Sequence, residues 1–285
     1  MKIEFLGTGG AMTIPRPLCS CRVCEEARVK GVPFSRSGPS LFVHEANLLF
    51  DTSEDIYSQI NRSNIKQIDG VFYSHWHPDH VMGRRVLESL NVDWRNYPPK
   101  HTQTNVYLPE QVSKDFNTYL GSKEHLRFFE NENYINLHEL MDEDMIIIND
   151  TRITPFRLAE DYVYAFLLEK NDKRILIAMD ELNNWKPKKD LEGLDLAILP
   201  IGIFEYHPLN EKRLFASDHP ILQQECTFLE TLDIIKTLKP KKTILTHVDE
   251  INGLSFNELL KLEKQLYEEG LNIEIAYDTL IADVE

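Results

Sequence analysis

The segment Ser74-His75-Trp76-His77-Pro78-Asp79-His80 carries three histidines and one aspartate within six positions, in a chain that holds 10 histidines in all. In an extended loop, residues two apart share a side, so His75, His77 and Asp79 are expected to converge on one point. His80 opens a helical stretch and points elsewhere, so one short segment can serve two adjacent metals. Imidazole and carboxylate donors suit Zn²⁺, Mn²⁺ or Fe²⁺. Pro78 stiffens the loop and Gly83 gives it room. A two-metal centre needs ligands from other parts of the chain. Asp180 follows the apolar run RILIAM, His247 follows KTILT, and Asp51 follows NLLF. A carboxylate at Asp51 can orient a ligating imidazole by accepting its second N–H.

A second cluster, Cys19, Cys21 and Cys24, has the spacing C-x-C-x-x-C, and Cys226 is remote from it. Four cysteines are too few for a disulfide framework in a chain of this length. Three thiolates at this spacing can cap one face of a tetrahedral structural zinc, which leaves one ligand to be supplied from elsewhere.

The elements that must position these groups read as two runs of strands framed by helices. Strands are expected at Ile3–Leu6, Ser40–His44, Asn47–Asp51, Gly70–Ser74 and Asn105–Leu108, with a turn at His44–Asn47. Four more follow at Met145–Ile148, Ile153–Leu158, Tyr162–Glu169 and Arg174–Met179, and then Leu196–Leu199, Lys242–Thr246, Ile273–Ala276 and Leu280–Ala282. Helical spacing marks Glu110–Leu120 and Leu222–Leu238, and Ser255 is placed to cap a helix that runs to Glu269 and stops at Gly270. The strands GVFYSH (70–75) and KTILTH (242–247) both end in histidine.

The 285 residues are 42% hydrophobic and 27% charged, ordinary for a globular protein. We expect one domain over 1–285. No apolar run approaches the roughly 18 residues of a membrane span, and the amino terminus lacks a signal-peptide core, so a cytoplasmic location without membrane partners is expected. With 31 Lys and Arg against 46 Asp and Glu, the net charge is −15. Such a chain repels phosphate backbones at long range, which argues against nucleic acid as the partner. A small anion remains accessible if a metal supplies positive charge.

HWHPDH resembles the HxHxDH motif of the metallo-β-lactamase fold hydrolases. The likeness covers most of the chain: FLGTGG, LLFDT, HWHPDH, AMD at 178–180 and LTH at 245–247, in the family's order. It implies an α/β fold, a four-layer αββα sandwich with a metal pair at one edge. By that match His75 and His77 hold one metal, Asp79, His80 and His247 hold the other, and Asp180 bridges both. The family supplies a further histidine before a strand like YAFLLE, and this chain has none there. Glu160 lies closest to that position, so either it replaces the imidazole or the first metal is weakly held.

CxCxxC after a GTGG-like turn is similar to the subgroup of phosphoribosyl 1,2-cyclic phosphate phosphodiesterases, and also to an accessory protein of pyrroloquinoline quinone biosynthesis. In the former a histidine three positions after the LTH histidine completes the zinc site. Glu250 stands at that position here, and either it or Asp249 is expected to complete the site. The resemblance also implies a catalytic histidine beyond DLAILP, for which His207 is the first candidate and His219 the competitor. The expected cofactors are two divalent ions, Zn²⁺ or Mn²⁺ with Fe²⁺ as a third candidate, and one structural Zn²⁺. The expected activity is hydrolysis of a small or cyclic phosphodiester by water activated at the metal pair, with Asp79 orienting or deprotonating it and His207 protonating the leaving group. The alternatives are a tRNA 3′-processing endonuclease and a non-catalytic accessory protein. A homodimer is compatible with all three.

Overall fold

The structure, a computed structural model, describes residues 1–284. The first half supplies β1 (Lys2–Gly7), α1 (Arg22–Lys30), β2 (Ser40–Val43), β3 (Leu48–Phe50), α2 (Ile56–Arg62), β4 (Gly70–Phe72), α3 (Pro78–Val81), α4 (Val86–Asn91), β5 (Thr104–Pro109), α5 (Glu110–Thr118), α6 (Ser122–Asn131) and β6 (Ile135–Leu140). The second half supplies β7 (Ile146–Ile148), β8 (Thr151–Arg157), β9 (Tyr164–Lys170), β10 (Lys173–Ile177), β11 (Leu196–Pro200), α7 (Ile221–Gln224), α8 (Phe228–Leu238), β12 (Thr243–Thr246), α9 (Phe256–Glu268), β13 (Ile273–Ile275) and β14 (Ile281–Asp283). These form two seven-stranded sheets, ordered β14-β1-β2-β3-β4-β5-β6 and β13-β12-β11-β10-β9-β8-β7. Among the described residues no helix is long and apolar enough to cross a membrane.

Period-two alternation explains why the central strands are apolar throughout. Along β10 to β12, Ile175, Ile177, Leu196, Ile198 and Ile244 face the opposite sheet. Their neighbours Leu176, Ala197, Leu199 and Leu245 face the outer helices. At the seam, Phe50 and Phe72 from the first sheet meet Phe166 of β9 at ring-centroid distances of 5.2 and 5.4 Å. All three rings are buried, and truncating such a ring to Ala costs about 3–5 kcal/mol. The outer faces are closed by α5 and α6 on one side and by α8 and α9 on the other, with Leu232 and Ile235 of α8 and Leu259 and Leu262 of α9 turned inward. This is the αββα sandwich that the sequence led us to expect.

Two differences from the sequence reading bear on function. The helix expected over Leu222–Leu238 is two helices, α7 and α8, broken at Glu225–Thr227. Thr227 caps α8 in a reciprocal capping box with Glu230, which explains the break. Cys226 therefore precedes the helix rather than lying in it. The second difference is α6 and β6, to which the sequence reading assigned no element.

Candidate metal centre

The strands of both sheets that point the same way release their functional residues at their carboxyl ends. Asp51 follows β3, His75 follows β4, Asp180 and Glu181 follow β10, and His247 follows β12. Asp51, Glu181 and His247 all have left-handed backbone, with φ of 58°, 54° and 55°. That conformation is unfavourable for a non-glycine residue and here turns each side chain back over the strand end.

The side chains meet in two adjoining groups. His75, His77, Asp180 and Glu181 form one, and Asp79, His80 and His247 form the other, each with its donor atoms within 4.8 Å of one another. Asp180 Oδ2 lies 3.4 Å from His75 Nε2, from His80 Nε2 and from His247 Nε2. One carboxylate oxygen thus faces imidazoles of both groups. Asp79 Oδ2 lies 3.4 Å from His80 Nε2 and 3.5 Å from His247 Nε2. His75 Nε2 and Asp79 Oδ2 are buried without a hydrogen-bond partner. Buried polar atoms without partners are costly and uncommon, and convergent lone pairs of this kind are what a divalent cation satisfies. The donor set fits a pair of divalent ions.

The supporting groups are equally specific. Asp51 Oδ2 accepts the His80 Nδ1–H at 2.7 Å and the Ser74 hydroxyl at 2.6 Å, while Oδ1 accepts the Ser74 N–H at 2.8 Å. This fixes His80 with Nε2 toward the centre, the orienting role expected of Asp51. Gly83 lets the segment lie flat, because a Cβ there would fall 1.9 Å from the Ser53 carbonyl oxygen.

Charge follows geometry. Burial lowers His75, and the adjacent His80 adds to the effect. Burial and His75 bring His77 down to about 4. Burial acts against the charged form of His80, but Asp79 and Asp51 outweigh it and push His80 up to about 10. Burial likewise opposes charge on His247, and Asp180 and Asp249 reverse it, so His247 titrates well above its ordinary value. Burial would raise Asp79, yet His80 and His247 hold it below the usual carboxylate range. Glu181 is pushed up to about 8 by burial and by Asp180, and Glu225 up to about 7 by burial and Asp180.

Three expectations about the site are corrected. Glu160 does not join the first group. It sits in the turn closed by Val163 N–H to Glu160 O at 3.0 Å, and Glu181 instead lies 3.5 Å from His77 Nδ1. The spacing argument placed Asp79 with His75 and His77. Pro78 starts α3, so Asp79 is already helical and turns to the His80 and His247 side. His207 lines a cavity of about 380 Å³ between α8, α9 and the loop after β11, which no residue of the two groups lines. Its Nδ1 accepts the Leu209 N–H at 3.2 Å, and His219 similarly accepts the Ile221 N–H at 3.2 Å.

Glu225 was not foreseen. It lines a small cavity of about 20 Å³ together with Asp180, Glu181, His247 and Asp249. Asn183 holds it there by donating to the carbonyls of Gln223 and Gln224, both at 3.1 Å. The break between α7 and α8 brings it to the centre.

The cysteine cluster is gathered around Glu250. Its Oε1 lies 3.2 Å from Cys19 Sγ, 3.1 Å from Cys21 Sγ and 3.7 Å from Cys24 Sγ. Of the two acids left open by the sequence, Glu250 faces the thiols, and Asp249 faces His247 Nδ1 at 3.6 Å. Cys21 is also the N-cap of α1, so the helix start fixes the spacing of Cys21 and Cys24. Burial pushes the Cys24 thiol up to about 12.

The comparisons with known proteins agree with this architecture. Ribonuclease Z of Thermococcus sibiricus is 23% identical over 203 residues, covering 68% of this chain and 58% of that protein. Ribonuclease Z of Methanococcus maripaludis is 27% identical over 271 residues, covering 92% of this chain and 72% of that protein. The chain spans about half the length of several of the Ribonuclease Z proteins it matches. Among solved structures, a diphosphatase from the PhnP family superposes with a TM-score of 0.72 at 22% identity, covering 100% of this chain and 98% of that one. Zinc-bound PqqB from Methylobacterium extorquens superposes with a TM-score of 0.75 at 14% identity, covering 99% and 100%. These two share the fold. Residues 46–248 match the family described as the beta-lactamase superfamily domain, and the chain belongs to that family.

Proposed function

We propose that this protein is a metal-dependent hydrolase of phosphodiesters, acting as one domain over 1–285, with a small or cyclic diester as its substrate. The observation that carries the reading is Asp180 Oδ2, set 3.4 Å from three imidazole nitrogens of two ligand groups. A paired centre of this kind suits attack on phosphorus. Divalent ions held by these residues would supply Lewis acidity for activating water and offsetting charge on the phosphoryl oxygens.

The chain's own residues do the rest. His75, His77, Asp180 and Glu181 would hold one ion and Asp79, His80 and His247 the other, with Asp180 placed to serve both. Asp51 keeps His80 in the orientation that leaves Nε2 free. Asp79, beside His80 and His247, would orient the attacking water. Glu225, on the wall of the same cavity, is the residue placed to donate a proton to the leaving oxygen, in place of His207. Glu250 with the three cysteines would hold a structural zinc. The native metal pair is proposed as Zn²⁺ or Mn²⁺, with Fe²⁺ as the third candidate.

The test is turnover of bis(p-nitrophenyl) phosphate by metal-free protein reloaded with Zn²⁺ or Mn²⁺. Folded protein that is inactive with every divalent ion would leave the accessory-protein reading in its place. The names of the curated relatives favour a second reading, tRNA 3′ processing. The net charge of −15 weighs against an RNA substrate. Cleavage of precursor tRNA without turnover of small diesters would establish the second reading.

A further inference from the structure

We propose that the two metal sites are energetically coupled, and that Asp249 is the positioning residue through which the cysteine site sets His247. This rests on reading both clusters as metal sites. Asp249 and Glu250 are consecutive, so their Cα atoms are fixed about 3.8 Å apart. Glu250 reaches all three thiols through Oε1. Asp249 reaches the other way, with Oδ2 3.6 Å from His247 Nδ1, and His247 Nε2 faces Asp180 and Asp79.

The join between the sites is rigid. The loop that leads to the cysteines is zipped along residues 248–250. Val248 N–H donates to Thr8 O at 2.9 Å, Gly10 N–H to Val248 O at 3.3 Å and Glu250 N–H to Met12 O at 2.8 Å. Met12 N–H donates to Asp249 Oδ1 at 2.8 Å, which ties the carboxylate itself to the cysteine-bearing loop. A Cβ on Gly10 would lie 2.4 Å from Asp249 Oδ2, so the loop packs directly on that carboxylate. His247 has left-handed backbone with φ of 55°, and ordinary strand geometry does not aim its ring. Asp249 does.

The Sγ to Oε1 separations of 3.1–3.7 Å are already those of donors around one tetrahedral zinc with bonds of about 2.0–2.3 Å. A zinc there would hold Glu250 in one position, and with it Asp249 beside the imidazole. A carboxylate that orients a ligating histidine in this way is worth roughly 10–100-fold in metal affinity.

Co²⁺ added to metal-free full-length protein separates the two sites. The thiolate site gives an intense near-ultraviolet absorption, and the histidine centre gives weaker visible bands. Cys21→Ser should weaken Co²⁺ binding at the histidine centre by roughly 10–100-fold, although Cys21 touches none of its ligands. Asp249→Ala should weaken it by a similar factor, and the double variant should be no worse than either alone. Asp249→Asn, which keeps an oxygen acceptor for Nδ1–H, should recover part of the loss. A merely structural fault would give neither the non-additivity nor the recovery. Wild-type affinity at the histidine centre of Cys21→Ser, or losses that add in the double variant, would overturn the coupling.

Should Cys21→Ser not fold, unaltered protein decides the matter by reciprocity. Filling the histidine centre must tighten the cysteine site by the same factor, and equal affinities with and without it would overturn the proposal. Absence of visible bands in unaltered protein would instead overturn the reading of the histidine centre itself.

Discussion

His75 and His247 reach their centre from the ends of buried strands in two different sheets and His80 from α3 just beyond the first of them, whereas Cys19, Cys21 and Cys24 come from one loop and the first turn of α1. The first centre has a scaffold on which the whole fold converges. His75 and His80 have no exposure at all, and Asp51 braces His80 from behind. The second is held by local spacing and by one acid, Glu250. Removing a ligand from the first should therefore abolish function while the fold stands. Removing one from the second should loosen a surface loop and act on function only from a distance.

The largest expected effect is at the shared oxygen. Asp180→Asn should lower turnover of bis(p-nitrophenyl) phosphate by roughly 10²–10³-fold with little change in thermal midpoint, as for other single electrostatic stabilisers. A variant that keeps more than a tenth of the activity would show that Asp180 is not shared. Glu181→Ala should lower the metal content by one ion per chain, read by elemental analysis, and Glu160→Ala should leave it unchanged. The opposite pattern would restore Glu160. Asp51→Asn should weaken metal binding by roughly 10–100-fold while the ligands themselves are intact.

The last prediction concerns protons. In metal-free protein His80 titrates at about 10 and His247 well above its ordinary value, so both hold protons at pH 7. Uptake at their group must displace these protons and should tighten, by up to about tenfold per pH unit for each proton released, as pH rises from 6 to 9. At the other group His77 titrates at about 4 and adds no pH dependence over that range, while Glu181, pushed up to about 8, adds at most one displaced proton that fades as pH passes 8. Calorimetry in two buffers of different ionisation enthalpy counts the protons. No release on metal uptake at pH 7 would show that His80 and His247 are not protonated in the metal-free centre.

The same contrast explains what could be read from the residues. Apolar runs such as RILIAM and KTILT can only be interior strands, so a polar residue just past each one is exposed to notice. That made Asp180 and His247 legible, along with the sandwich itself. Glu181 is less legible because the family resemblance directs attention to the turn before YAFLLE, although a second carboxylate directly after Asp180 is the available signal. Glu225 was hidden by apolar periodicity that runs through the break between α7 and α8. The Thr227–Glu230 pair was readable as a helix start and would have exposed it. His207 lies apart from the two groups for a different reason: loop length after β11 sets its position, and no local pattern encodes that.

The hollow beside Asp180 and His247 measures about 20 Å³, room for roughly one water molecule. On the reading proposed above, a diester would meet the centre from outside, with its alcohol portions beyond the hollow. Selection among esters would then fall to exterior loops, and compounds of very different bulk could be offered to the same ligands.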